Sequence, residues 1–295
     1  MAAQRFAACT FADFTGATEL YRSQAGTVYR ARFKYDDREY VLKERKVSEL
    51  GKAKDIMNEL KLLLQLDDAN VVRCEGWFRD QIRDSVFIVL ELCGGGDLNS
   101  LIVRRRQHMH HLDESHIWLM FRQLCLGLKH LHENGIIHRD LKPLNILCSA
   151  SGRIFKIGDL GVSRQVSDHT LLLKSFYGTP LYLSPELVEN RPYNEKTDIW
   201  SLGVILYELC ALSAPFKGNT LLAVARMVSA GAYPPIPRQY SRQMQRCIKW
   251  MLALQYSKRP NVVQLLQYIE GVELPQGYQG QGADFAEPLE NVVLG

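Results

Sequence analysis

The sequence predicts an α+β protein of two unlike lobes: a small β-rich N-lobe carrying one helix, and a larger, mainly helical C-lobe. Three observations predict it. Residues 28–92 are short β-branched and aromatic runs around a single helical stretch. A glycine triplet, Gly94-Gly95-Gly96, then breaks that texture. Beyond it, helix-period apolar spacing dominates. The expected divisions are an N-terminal extension at 1–17, the N-lobe at 18–92, a hinge at 93–96, the C-lobe at 97–270 and a loose tail at 271–295. A cleft between unlike lobes is a natural place for a ligand.

The N-lobe elements begin with a hairpin. Val28, Tyr29, Ala31 and Phe33 precede a polar turn at 35–38, and Tyr40, Val41 and Leu42 follow it. Residues 51–66 read as the helix, since Ile56, Leu60, Leu63 and Leu64 share one face. Residues 71–77 and 86–92 read as further strands. In the C-lobe the clearest helix is 115–133, where Ile117, Phe121, Leu124, Leu128 and Leu131 align. Asp113 and Ser115 suit its start and Asn134-Gly135 its stop. Further helices are expected at 198–212, 221–230, 241–254 and 262–269. Met244, Cys247, Ile248, Met251 and Leu252 form a core stripe on the third of these. The tail is rich in glycine and glutamine and reads as loose.

Composition excludes several classes. With 295 residues, 46% hydrophobic and 23% charged, the chain is neither collagenous nor broadly disordered. It is long enough to bury a core without disulfide support. Its seven cysteines are scattered with no C-x-x-C pair, which suits free thiols in a reducing compartment. No secretory signal opens the sequence and no run approaches about 18 uncharged apolar residues. A cytoplasmic protein is expected, with nuclear or cytoskeletal association compatible and no membrane partner. The net charge of +4 does not call for nucleic acid. Arg104, Arg105 and Arg106, with His108, His110 and His111, read as a solvated helix face. The adjacent His110-His111 have no third ligand spaced to complete a metal tetrahedron. No coiled coil follows the globular part, so a monomer is expected.

Chemistry concentrates in Ile136-Ile137-His138-Arg139-Asp140-Leu141-Lys142-Pro143-Leu144-Asn145-Ile146-Leu147. Apolar pairs flank a carboxylate, an ammonium and an amide at positions i, i+2 and i+5. Pro143 bars a regular helix, so this is a polar loop on a buried scaffold. Nineteen residues past Asp140 lies Asp159, at the end of the apolar run Phe155-Lys156-Ile157. Asn145 and Asp159 are hard oxygen donors of the kind Mg²⁺ takes. Each residue alone is unremarkable in a turn; their joint spacing is not.

His138-Arg139-Asp140-Leu141-Lys142-x-x-Asn145 resembles the catalytic loop of protein kinases, and Asp159-Leu160-Gly161 their metal-binding D-F-G with Leu for Phe. Val41-Leu42-Lys43 is similar to the strand lysine motif V-A-I-K, and Glu59, sixteen residues later, to the glutamate that pairs with it. Ser184-Pro185-Glu186 stands where A-P-E would close the activation segment. Asp198-Ile199-Trp200-Ser201-Leu202-Gly203 resembles the start of the central C-lobe helix, and Ala214-Pro215-Phe216 and Arg259 fit later landmarks. The resemblance covers about residues 18–270 with its motifs in order. Within kinases, Val89 to Leu98 and Phe176 to Glu186 are similar to the NIMA-related group.

The resemblance implies a two-lobed protein-kinase-like fold and a serine/threonine kinase using ATP and Mg²⁺. Lys43 would contact the α- and β-phosphates and Glu59 would orient it. Asn145 and Asp159 would hold Mg²⁺. Asp140 would accept the acceptor hydroxyl's proton, Lys142 would steady the moving phosphoryl group, and Thr179 would steady Asp140. Lys142 after Asp140 implies a serine or threonine acceptor on a protein substrate. Val28 and Val41 would cover the adenine and Leu147 would lie beneath it. Leu90 would be the gatekeeper, and Glu91 and Cys93 would lie on the hinge. Ser175 is the expected activation-loop phosphorylation site, with an upstream kinase as partner and Arg139 as phosphate receptor. Arg259 is expected to pair with Glu186. The phosphate-covering loop departs from G-x-G-x-x-G: Gly26 remains, while Tyr21 and Ser23 replace the other glycines. That departure supports an alternative, a pseudokinase scaffold or docking module with weak or no ATP turnover.

Overall fold

The computed structural model describes residues 5–23, 26–47, 60–160 and 180–272. Most of the helix expected at 51–66 lies outside these residues, as do Glu59, Ser175, Thr179 and the tail; residues 60–65 are helical.

Five antiparallel strands form the N-lobe sheet in the order β1-β2-β3-β5-β4. They are β1 (Phe14–Ser23), β2 (Gly26–Phe33), β3 (Glu39–Lys46), β4 (Cys74–Asp80) and β5 (Ser85–Glu91). Register sorts their side chains between two faces. Val28 lies opposite Lys43, Lys43 opposite Ile88, and Val41 opposite Leu90. Residues directly opposite, and those two apart, share a face. Val28, Val41, Lys43, Ile88 and Leu90 therefore form one surface, and Ile88 and Leu90 pack with the C-lobe core.

The other face has its own aromatic core: Phe33, Tyr40, Leu42, Phe78, Phe87 and Val89, with Phe6 and Phe14 from the N-terminus. Phe78 stacks between Phe14 and Phe87, at 5.3 and 5.0 Å between ring centroids. Phe6 is fully buried and meets Phe33 edge-on at 5.0 Å. The backbone N–H of Phe11 donates to Asp80 at 2.9 Å, and that of Lys34 to the Asp13 carbonyl at 3.1 Å. The expected division at residue 17 falls inside β1. Residues 5–13 are a cover of the sheet. Phe6, Phe11 and Phe14 reach it through a 3-10 turn at Phe11–Asp13, so their spacing follows neither the strand nor the helix period.

A second difference concerns the strand expected at 71–77. β4 starts only at Cys74. Residues 70–72 pair instead with the C-lobe: Val72 N–H donates to the Ile157 carbonyl at 2.9 Å, and Ile157 N–H to that of Asn70 at 2.8 Å. The apolar run is continuous in sequence but serves two lobes.

Residues 92–96 connect the lobes. A Cβ on Gly95 would lie 2.2 Å from the Ser149 carbonyl oxygen, so only glycine admits this approach. Gly95 N–H donates to Cys148 at 2.9 Å, and Cys148 N–H to Gly96 at 2.8 Å. The C-lobe then comprises α1 (Leu98–Gln107), α2 (Glu114–Glu133), the strand pair β6 (Ile146–Cys148) and β7 (Phe155–Ile157), α3 (Pro185–Val188), α4 (Lys196–Ala211), α5 (Leu221–Ala230), α6 (Arg242–Met251) and α7 (Val262–Glu270). Asp97 caps α1 by accepting from Ser100 N–H at 2.8 Å, and Asn261 and Gln264 form a capping box on α7. α4 is buried on every side from Thr197 to Cys210, which makes it the axis of the lobe. Among the described residues no helix is long and apolar enough to cross a membrane.

The arginine cluster is not simply a solvated face. Arg106 donates to the Leu212 carbonyl at 2.5 Å and lies 3.6 Å from Glu208. It closes the C-terminus of α4, where unpaired carbonyls attract a cation.

Phe6→Ala is expected to destabilise the chain by about 3–5 kcal/mol, the usual cost of removing a buried phenylalanine ring. Chemical denaturation of the full chain measures it, and an unchanged midpoint would show that residues 5–13 do not hold the sheet.

Candidate active site

The loop between α2 and β6 is pinned from beneath. Asp198, fully buried in the first turn of α4, accepts from His138 N–H at 2.9 Å and Arg139 N–H at 2.8 Å. The ring of His132, near the end of α2, meets the same carboxylate at 2.9 Å. Held there, Arg139 has φ of 65°, a left-handed conformation that a non-glycine residue adopts only under such constraint. His138 donates from Nε2 to the Gly158 carbonyl at 2.9 Å, which leaves Nδ1 to accept from Asp140 N–H at 3.2 Å. One buried imidazole thus positions both Asp140 and the residue before Asp159.

Above this base the polar side chains of the loop converge. Lys142 Nζ lies 2.9 Å from Asp140 Oδ2. Asn145 Nδ2 donates to the Asp140 carbonyl at 2.7 Å and lies 3.4 Å from Asp140 Oδ2. Gly158 N–H donates to the Asn145 carbonyl at 2.8 Å, in register with the β6–β7 pair of Ile146 and Ile157. Asp159 follows, with φ of 52°. From the opposite lobe, Lys43 bonds Asp159 Oδ1. The charge of Lys43 is the main influence on that carboxyl and, against partial burial, holds it well below the usual carboxylate range.

The other expected residues frame the same cleft. Val28, Val41 and Leu90 share the sheet face of Lys43, and Leu147 lies on β6 across the cleft. Cys93 lies in the connection, and burial pushes its thiol up to about 12. Glu91 ends β5, but its side chain turns away to bond Lys156 and Arg73 N–H. Gly26 has φ of 135°, and a Cβ there would lie 2.0 Å from the Glu44 carbonyl oxygen; its necessity comes from β3. The Arg139 guanidinium lies 5.2 Å from the Tyr193 ring centroid.

The donor set fits a hard cation. The Asn145 amide directs its hydrogens to Asp140, which leaves its oxygen as an acceptor, and Asp159 supplies a second hard oxygen donor. Asp198, His132 and His138 hold the loop in place, and the sequence does not single them out for that. Asp198 was legible only as a helix opener, and no spacing relates it to residues about 60 positions earlier.

Outside the cleft, the expected Arg259–Glu186 pair is present. The guanidinium forks onto the carboxylate at 2.6 and 2.8 Å, with both side chains at most 1% exposed. It also donates to the carbonyls of Ala253, Lys196 and Leu254 and lies 4.9 Å from the Trp200 ring centroid. Ser184 bonds Thr197 at 2.6 Å and Ser201 bonds the Tyr182 carbonyl at 2.8 Å, which ties residues 182–186 to α4.

A family model of the protein kinase domain matches residues 18–269; the chain belongs to the protein kinase family. It is 40% identical over 242 residues to mouse serine/threonine-protein kinase Nek5, covering 82% of this chain and 38% of that protein. It is 36% identical over 249 residues to human serine/threonine-protein kinase Nek2, covering 82% and 56%. A probable serine/threonine-protein kinase nek2 of Dictyostelium discoideum is 34% identical over 254 residues, covering 84% and 60%. These relatives are NIMA-related serine/threonine kinases. The chain spans less than two thirds of the length of each.

Glu186→Ala strands a buried guanidinium and is expected to cost about 3–5 kcal/mol, read as a lowered denaturation midpoint. Burial alone would raise the Glu186 pKa, but the Arg259 hydrogen bonds and charge outweigh it and hold it below its ordinary 4.5. The pair's contribution is therefore complete above about pH 4.5 and lost on acidification. The variant should lose this part of the acid sensitivity, and parallel pH–stability curves would refute the assignment.

Proposed function

We propose that this chain transfers the γ-phosphoryl group of Mg-ATP to a serine or threonine hydroxyl of a protein. The convergence of Asp140, Lys142, Asn145, Asp159 and Lys43 in one cleft carries the reading. Phosphoryl transfer is mainly positioning and charge neutralisation, and this arrangement supplies both. Asp140 accepts the hydroxyl proton as the hydroxyl oxygen bonds phosphorus and the bond to the β-phosphate oxygen breaks, releasing ADP. Lys142, bonded to Asp140, steadies the transferred group. Asn145 and Asp159 hold Mg²⁺, which supplies neutralisation of the phosphate charge. Lys43, already at Asp159, contacts the neighbouring phosphates, oriented by Glu59. Val28, Val41, Leu90 and Leu147 receive the adenine, and Thr179 steadies Asp140. The names of the relatives and Lys142 favour a serine or threonine acceptor.

One observation favours a second reading. Tyr21, half exposed in β1 opposite Val28, stands where the phosphate-covering loop has glycine elsewhere. A pseudokinase that docks partners without turnover would tolerate it. Mg-ATP turnover on a generic protein acceptor separates the two. Asp140→Asn is expected to lower the rate by at least about 100-fold, the usual contribution of a positioned base. Equal signal from both proteins would assign it to a contaminant and favour the scaffold.

The proposal extends to regulation. Phosphorylation of Ser175 by an upstream kinase places a dianion opposite Arg139 and raises activity. The catalytic unit is monomeric and cytoplasmic. Ser175→Ala should hold the chain at its unphosphorylated rate after treatment with an activating kinase, while the unmodified chain gains. Equal gains would place the regulatory phosphate elsewhere.

A further inference from the structure

Behind the cleft, Lys156 Nζ lies 2.7 Å from Glu91 Oε1 and joins the two lobes. Lys156 is the middle residue of β7. Its neighbours Phe155 and Ile157 face the core, and it lies opposite Leu147, the residue assigned to the underside of the adenine. Glu91 ends β5, where the chain leaves the sheet for the hinge. Its Oε1 also accepts from Arg73 N–H at 2.7 Å, and its own N–H donates to the Arg73 carbonyl at 3.1 Å. Residue 91 is thus held by β3, by residue 73 and by Lys156.

The pair is well placed to set geometry. Its side chains are only 14% and 20% exposed, so salt screens it little. A buried pair adds little net stability over apolar substitutes, yet it demands one distance and one direction. That distance runs from the strand beneath the adenine site to the last residue of β5, where the chain enters the hinge. Cys93, two residues on, lies near both charges: burial, then Glu91, push its thiol up, while Lys156 opposes them.

We propose that Lys156 is a positioning residue for the base of the nucleotide. Through Glu91 it sets the height of hinge backbone 91–93 above Leu147, and so the fit of adenine. It touches neither the phosphates nor the acceptor. This rests on the nucleotide-binding reading above.

The test is direct binding and kinetics on the full chain. Lys156→Met is expected to weaken Mg-ATP binding about tenfold, equivalent to about 1.4 kcal/mol. KM for ATP should rise in proportion, while kcat and KM for the protein acceptor stay within about twofold. The preference for ATP over GTP should shrink, which a general loosening of the fold would not cause. Lys156→Arg should restore affinity. Adding Glu91→Gln to Lys156→Met should weaken binding no further, because the two act as one unit. Equal ATP affinity in Lys156→Met and the unmodified chain would overturn the inference alone. So would parallel loss of ATP and GTP binding, with a lowered melting temperature, that arginine does not rescue. If the unmodified chain binds no nucleotide, this inference and the kinase reading both fall.

Discussion

The buried carboxylate of Asp198 is the constraint on which the site depends. A charge with no solvent exposure must be fully hydrogen-bonded, and this one is answered by the His132 ring and two consecutive backbone N–H groups. Satisfying it forces the chain at His138 and Arg139 over the start of α4 and puts Arg139 in a left-handed conformation. From that point Asp140 has little freedom. Its N–H is held by His138, its carbonyl by Asn145 and its carboxylate by Lys142. A polar network that is costly to bury is therefore the one that fixes the Asp140 loop.

The same logic recurs with a different purpose at three further ion pairs. Arg259 and Glu186 sit deep in the C-lobe and tie α3 to the start of α4. Lys156 and Glu91 span the two lobes behind the cleft, and Lys43 meets Asp159 across it. Apolar residues could fill these spaces at similar stability, but would not specify one angle and one distance. The apolar cores supply the bulk free energy. The largest runs from the β4–β5 side of the sheet through α2, α4 and α6, and the smaller one lies under the N-terminal cover.

Legibility followed periodicity. The helix at 115–133 was readable because its apolar residues repeat on one face, and the structure places it at Glu114–Glu133; the helix expected at 221–230 lies at Leu221–Ala230. The N-terminal cover was not readable, because Phe6, Phe11 and Phe14 arrive through an irregular turn. Val71 and Val72 looked like strand for the right reason, their apolar character, but pair with Ile157 of the other lobe. Within the site, Asp140, Lys142, Asn145 and Asp159 stood out as chemical types at suggestive spacings, and Lys43 only through the resemblance. Glu91 stood out for its backbone, whereas its side chain serves Lys156.

By itself the sequence determined the fold class, the two polar loops and the identities of the groups that carry charge, since these follow from local pattern and short spacing. Tertiary structure alone decided which charge meets which. Asp198 reaches back 60 residues to His138, Lys156 reaches 65 to Glu91, and Asp159 reaches 116 to Lys43. Such pairings depend on how layers pack around α4, and packing is a property of the whole core that no local spacing encodes.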